Sequence, residues 1–160
     1  MNCILTGIAR ERGGLVDRAM EIVGIGTDIV ECHRIGRMIE RHGEIFLTRV
    51  YTEREIRYCQ ERKRSTEHFA GRWAAKEAIL KCLGTGWSKG ISWTDIEIRN
   101  DSTGRPRVLM CGGTKDLARK LHIADILISI SHCRAYATAH AVAVSGGSES
   151  VRGEKKPPSS

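Results

Sequence analysis

A chain of 160 residues is long enough for one domain with a modest core and too short for two. Its formal net charge of +7 favours an anionic partner (nucleic acid, a phosphorylated cofactor, an acidic protein or an anionic membrane surface), and charge alone does not choose among these. With 5% aromatic residues the core is expected to be mostly aliphatic; no run of about eighteen apolar residues offers a membrane span, and six scattered cysteines without a C-x-x-C pair suggest neither a zinc site nor a disulfide framework. Free thiols in a reducing cytoplasm are the expectation.

In chain order, Ile22-Val23-Gly24-Ile25-Gly26-Thr27-Asp28 predicts a strand leading through two glycines into a tight turn. Asp28 then stands where a helix begins, a position most often filled by an N-cap. The Gly24-x-Gly26 pair also suits a dinucleotide-binding turn, but Ile29 occupies the next glycine position and no clean βαβ unit follows, which excludes that motif. Residues 31–41 space Ile35, Met38 and Ile39 as a basic amphipathic helix with Arg34, Arg37 and Arg41 toward its polar side and Gly43 as a stop. Thr52 with Glu55 is a capping-box pattern for a short helix through about Cys59, followed by the basic linker Arg62-Lys63-Arg64.

Ser65 or Thr66 is expected to cap a long helix that ends at Gly84, with Gly84-Thr85-Gly86 a flexible turn able to approach a ligand. On this helix Glu77 and Lys81 share a face that Trp73 and Ala70 continue, while Phe69, Trp73, Leu80 and Leu83 supply the core strip. Residues 93–98 alternate like a half-buried strand, 101–104 is turn chemistry and 107–110 returns, a hairpin. Thr114 opens a helix to Leu121, and residues 126–131 and 135–144 form two strands around His132-Cys133-Arg134. Helices and strands mix without regular alternation, which predicts an α+β fold with a mainly antiparallel sheet packed with the long helix.

A carboxylate and a lysine one turn apart in an apolar seam are either chemistry or an internal salt bridge, worth a few tenths of a kcal/mol. Asp28 supplies a second carboxylate. Together, Gly24-Ile25-Gly26-Thr27-Asp28-Ile29-Val30 with Arg34-Ile35, Phe69-Ala70-Gly71-Arg72-Trp73-Ala74-Ala75-Lys76-Glu77-Ala78 with Lys81 and Gly84-Thr85-Gly86, and Ile128-Ser129-Ile130-Ser131-His132 resemble the holo-acyl-carrier-protein synthase family, the small class of 4'-phosphopantetheinyl transferases. Asp95-Ile96-Glu97-Ile98 and Gly104-x-Pro106 fit that family's central hairpin, and order and spacing agree over residues 22–144.

The resemblance implies the 4'-phosphopantetheinyl transferase fold, one domain assembling as a homotrimer with active sites between subunits. The implied reaction moves 4'-phosphopantetheine from coenzyme A to a serine of apo acyl carrier protein, in support of fatty acid biosynthesis in the cytoplasm. Asp28 and Glu77 are the implied ligands of Mg2+, Lys81 the residue beside the diphosphate, Gly84 and His132 coenzyme A contacts, and Arg34 a grip on the carrier protein. The serine proton is left to Glu77 or to a metal-bound water. Cys133 stands where many relatives carry Ser or Thr. Residues 21–145 are expected to be the catalytic domain, 1–20 a flexible or dispensable extension outside the family pattern, and 146–160 a disordered tail. A small basic nucleic-acid-binding module is the main rival, but it lacks aromatic-rich basic strands and leaves Asp28 and Glu77 without a role. Neither nucleic acid nor membrane is an expected partner. Another Mg2+-dependent nucleotide enzyme lacks the Walker pattern, and a carrier-binding protein without turnover is separable by Glu77→Gln.

Overall fold

The structure, a computed structural model, describes residues 20–84 and 90–146. Residues 1–19 of the expected extension, most of the tail and the turn residues Thr85 and Gly86 lie outside the described residues. Strand β1 (Ile22–Glu31) leads into α1 (Cys32–Val50), α2 (Glu53–Gln60) and the long α3 (Ser65–Cys82). A 3-10 turn at Trp93–Asp95 precedes β2 (Ile96–Asn100), β3 (Pro106–Met110), α4 (Gly112–Lys120), β4 (Ile123–His132) and β5 (Tyr136–Ser145). β1, β5 and β4 form one antiparallel sheet in that order, and β2 with β3 a separate hairpin, so the α+β expectation holds.

Where the large sheet meets α3 most closely, along β5 and the first half of β1, its inward residues are very small. Along β5 the inward positions Ala137, Ala139, Ala141 and Ala143 are all fully buried, and along β1 they are Gly24 and Gly26. A Cβ on Gly24 would lie 2.2 Å from the Cys82 carbonyl oxygen, and one on Gly26 would lie 2.0 Å from that of Ala78. The helix backbone therefore rests directly on the strand. This corrects the expected turn: β1 runs straight through both glycines, which serve close approach rather than reversal. Because side chains alternate along a strand, Asp28 follows Gly24 and Gly26 on the same face and points at α3, inside the strand rather than at a helix cap.

Other boundaries move for local reasons. Gly43 (φ 50°, ψ −129°) is non-helical and interrupts α1 as expected, and a second helical stretch continues beyond it with Phe46, Leu47 and Val50 buried. α3 starts at Ser65 with Arg64 at its N-cap and no capping side chain, so neither Ser65 nor Thr66 caps it; Gly84 (φ +71°) does end it. Thr114 lies buried inside α4, whose N-cap is Cys111. The expected strand at 93–95 is the 3-10 turn instead. Five of the described aromatic residues cluster: Tyr51, Phe46, Trp73 and Trp93 form a chain of ring contacts between α1, α3 and the 3-10 turn, with Phe69 beside Tyr51.

α3 is buried on nearly every side, not along one stripe. Phe69, Ala70, Ala74, Ala75, Ala78, Ile79 and Leu80 are buried, and so are Arg72 and Lys76. Lys76 is fully enclosed and pairs with Glu55 at 2.7 Å. Its ammonium also donates to the carbonyls of Val50 (2.8 Å) and Trp93 (3.0 Å). Glu55 meanwhile completes the expected capping box with Thr52 and accepts from the Ile98 N–H at 3.0 Å. One ion pair thus ties α1, α2, α3 and β2 together.

Candidate active site

Asp28 on β1 and Glu77 and Lys81 on α3 converge at the edge where the strand crosses the helix. Lys81 Nζ donates to Asp28 Oδ1 at 2.8 Å and to the Thr27 carbonyl at 3.0 Å. Among the described residues, then, Lys81 pairs across elements with Asp28 and not with Glu77 one turn back along its own helix. Burial raises the Glu77 carboxyl above its ordinary value and the Asp28 carboxylate raises it further, while Lys81 and Arg34 oppose the rise. The mutual influence of these four groups defines one electrostatic cluster. Arg34, exposed on the first turns of α1, belongs to it.

Two carboxylates held close enough to raise the pKa of one of them form a donor set that a hard divalent cation would satisfy. Among the described residues no group of three or more His, Cys, Asp or Glu is placed to hold a metal ion. A cation here would draw on Asp28, Glu77 and oxygens of water or ligand, the ligation Mg2+ favours.

His132, the last residue of β4, lies away from this cluster on the other side of α3. Its Nδ1 is 3.3 Å from Glu67 Oε2, and its ring meets His68 edge to face at 5.0 Å. Gly71 lies beneath this end of β4: a Cβ there would crowd Ile130 at 3.2 Å and only touch the His132 ring at 3.9 Å. Beside His132 a small pocket of about 140 Å³ is lined by Tyr58, His68, Arg72, Asn100, Pro106 and others. Arg72 stacks over Tyr58 at 3.9 Å and donates to Asn100 Oδ1 at 2.8 Å, yet its buried Nε has no partner. The sequence reading gave Arg72 no role; its signal was the four-residue spacing to Lys76, which puts both cations on one face of the helix, and both are buried. Gly84 is exposed at the end of α3.

Two carboxylates and a lysine brought to one open edge by a strand and a long helix form a donor set of the kind used by enzymes that handle phosphorylated substrates, with the pocket of Arg72 and His132 lying apart from it. Comparison with known proteins makes that class specific. Residues 24–143 match the 4'-phosphopantetheinyl transferase superfamily, and the chain belongs to it. The holo-acyl-carrier-protein synthase of Protochlamydia amoebophila (strain UWE25) is 51% identical over 120 residues, 75% of this chain and 96% of the relative. Among solved structures, the Neisseria meningitidis enzyme of that name superposes with a TM-score of 0.71 at 32% identity, over 77% of this chain and 98% of its own. The Bacillus anthracis enzyme, in complex with coenzyme A (3',5'-ADP), gives 0.65 at 40% identity over 80% and 100%.

Proposed function

We propose that this chain transfers the 4'-phosphopantetheine group of coenzyme A to a serine of apo acyl carrier protein, giving holo carrier protein and adenosine 3',5'-bisphosphate, in support of fatty acid biosynthesis. The observation that carries this reading is the convergence of Asp28, Glu77 and Lys81 in a chain belonging to this superfamily. Asp28 and Glu77 would hold Mg2+, which when bound supplies charge neutralisation at the diphosphate. The serine hydroxyl attacks the β-phosphorus, its bond to the bridging oxygen breaks, and the bisphosphate leaves. Lys81, half exposed and free to swing from Asp28 to a substrate oxygen, offsets the charge that collects on the leaving phosphate. Glu77, with its raised pKa, is suited to accept the serine proton.

The exposed residues His33, Arg34, Arg37 and Arg41 line an open groove of about 450 Å³ on α1, a surface for the acidic carrier with Arg34 nearest the reaction. The unpartnered Arg72 Nε and the adjacent His132 support a pocket for an anionic part of coenzyme A, the 3'-phosphate or a group near it. Gly84, at the helix end, serves the same ligand. The outer face of the large sheet leaves Ile25 and Ile29 about two-thirds exposed, with Val23, Leu127 and Tyr136 around them, which supports burial against further copies as a homotrimer with inter-subunit sites. None of the described helices is long and apolar enough to cross a membrane, and the described cysteines are free; both suit work in the cytoplasm. The domain spans 21–145, so a chain shortened to Met20 keeps its activity.

The test is mass spectrometry of apo acyl carrier protein incubated with this chain, coenzyme A and Mg2+. A gain of about 340 Da on the carrier is expected. An unmodified carrier, with tight salt-sensitive binding of nucleic acid in its place, would overturn the reading.

A further inference from the structure

Two cysteines meet where β1 gives way to α1. Cys32 is the first residue of α1 and 3% exposed. Its main-chain N–H donates to the Ala135 carbonyl at 2.8 Å, and its thiol donates to the Cys133 carbonyl at 3.6 Å. Cys133 is exposed and follows His132 at the end of β4, its own N–H donating to the Tyr136 carbonyl at 2.8 Å. The sheet fixes this meeting, because Glu31 pairs with Tyr136 and His132 pairs with Ala137 on the shared strand β5. After burial and the Glu67 carboxylate, Cys133 is the third influence holding the Cys32 thiol above its ordinary pKa, so the two thiols lie within electrostatic reach. The other described cysteines have no such neighbour: Cys59 is buried with its thiol pushed up to about 12, Cys82 is buried, and Cys111 is exposed with its sulfur 3.9 Å from the Thr94 carbonyl.

We propose that Cys133 and Cys32 form an oxidisable dithiol, a modification site for a peroxide in which Cys133 reacts first and Cys32 resolves. The Cys133 thiolate attacks one peroxide oxygen; the O–O bond breaks, the sulfur loses two electrons to become a sulfenic acid, and the other oxygen leaves as water. The Cys32 sulfur then attacks the Cys133 sulfur, the S–O bond breaks, and its oxygen leaves as a second water. Two thiols and one peroxide give one disulfide and two waters, the two thiol protons ending in the waters. Exposure assigns the order. Cys133 meets the oxidant, whereas Cys32, enclosed and held as a thiol, is reached only from Cys133. A disulfide needs the two Cβ atoms about 4 Å apart. The Cys32 thiol already rests against the Cys133 carbonyl; rotation of the exposed Cys133 side chain turns its sulfur toward Cys32, and a shift of the turn that carries Cys133 brings the two Cβ atoms within reach.

Closure would pin the β4–β5 turn beside His132 to the first turn of α1, two residues before Arg34. That consequence rests on the proposed function, because it predicts weaker use of coenzyme A when His132 can no longer adjust.

The full chain is treated with hydrogen peroxide at low molar excess, and disulfide-linked peptides are mapped. The expected result is a loss of about 2 Da, a Cys32–Cys133 linkage and full reversal by a dithiol reductant. Cys111→Ser behaves the same way. Cys133→Ser, at an exposed position that leaves the fold intact, neither loses the mass nor protects Cys32 from alkylation after unfolding. A Cys133 driven to sulfinic acid while Cys32 stays alkylatable, or a linkage mapping to another cysteine, would overturn the proposal. Mapping needs no catalysis, so its outcome stands apart from that of the carrier assay. Where the carrier is modified, the oxidised protein is expected to show a severalfold higher KM for coenzyme A that Cys133→Ser does not share; an unchanged KM removes the functional consequence.

Discussion

Helix α3 carries two lysines five positions apart, and each meets a carboxylate from another element at nearly the same distance: Lys76 with Glu55 at 2.7 Å and Lys81 with Asp28 at 2.8 Å. Their surroundings set them apart. Both side chains of the first pair are fully buried, and the remaining capacity of both groups is taken by the Val50 and Trp93 carbonyls and the Thr52 and Ile98 N–H groups. Lys81 is 51% exposed, and Asp28 faces a second carboxylate, Glu77. A saturated, enclosed pair has nothing left to offer a ligand and serves the fold. An open pair beside a like charge can exchange its partner for a cation or a phosphate oxygen, as the proposed chemistry requires.

The sharpest way to break this contrast is Lys76→Met. It leaves Glu55 buried and uncompensated, and a loss of about 3–5 kcal/mol in unfolding free energy is expected by chemical denaturation. Adding Glu55→Gln should restore part of it. Below the transition, the folded fraction of Lys76→Met should still turn over; a folded but inert protein would show the buried pair to be catalytic after all. Glu77→Gln is the mirror image. A 100- to 1000-fold loss in kcat, about 3–4 kcal/mol in barrier, is expected from the carrier assay with the unfolding midpoint undiminished. Gly26→Ala should blur the distinction. Its methyl would sit 2.0 Å from the Ala78 carbonyl and push β1 off α3. Stability should fall by about 1–3 kcal/mol, and rate should fall with it because Asp28 rides on the displaced strand. A variant of full stability and full rate would remove the strand-on-helix account of the site.

What the sequence disclosed follows the same division. Glu77 and Lys81 share a face by helical spacing, and the structure puts both on α3. Their partner Asp28 stands far away in the chain, and only the resemblance brought it in. Gly24 and Gly26 were misread as a turn because a glycine needed for φ and a glycine needed for close approach look alike without the helix that lies on them. Nothing local marks Lys76 as buried, since a lysine is usually exposed, and the residue that neutralises its charge, Glu55, is legible only in its other role as a capping-box member. Local periodicities and caps are written in short windows, whereas burial of charge depends on which distant carboxylate arrives.

The smallest effect probes the open pair without catalysis. The folded-state pKa of Glu77 is raised above its ordinary value of 4.5, chiefly by burial and then by Asp28, so the folded protein holds that proton more tightly than the unfolded chain. Below the ordinary value both states are protonated and Glu77 costs nothing. As pH rises through the folded pKa, the folded state must carry a second carboxylate beside Asp28, and stability is lost. Glu77→Gln removes that penalty. Its Tm should exceed that of the unsubstituted protein at pH 7, and the difference should shrink toward pH 4. Mg2+ should raise the Tm of the unsubstituted protein at pH 7 and have little effect on Glu77→Gln, since a cation bound only by the folded state stabilises it. A Tm lowered by Glu77→Gln at pH 7 would mean that the carboxylate is already satisfied by Lys81 and Arg34. The open pair would then be as closed as the buried one, and the contrast between them would fail.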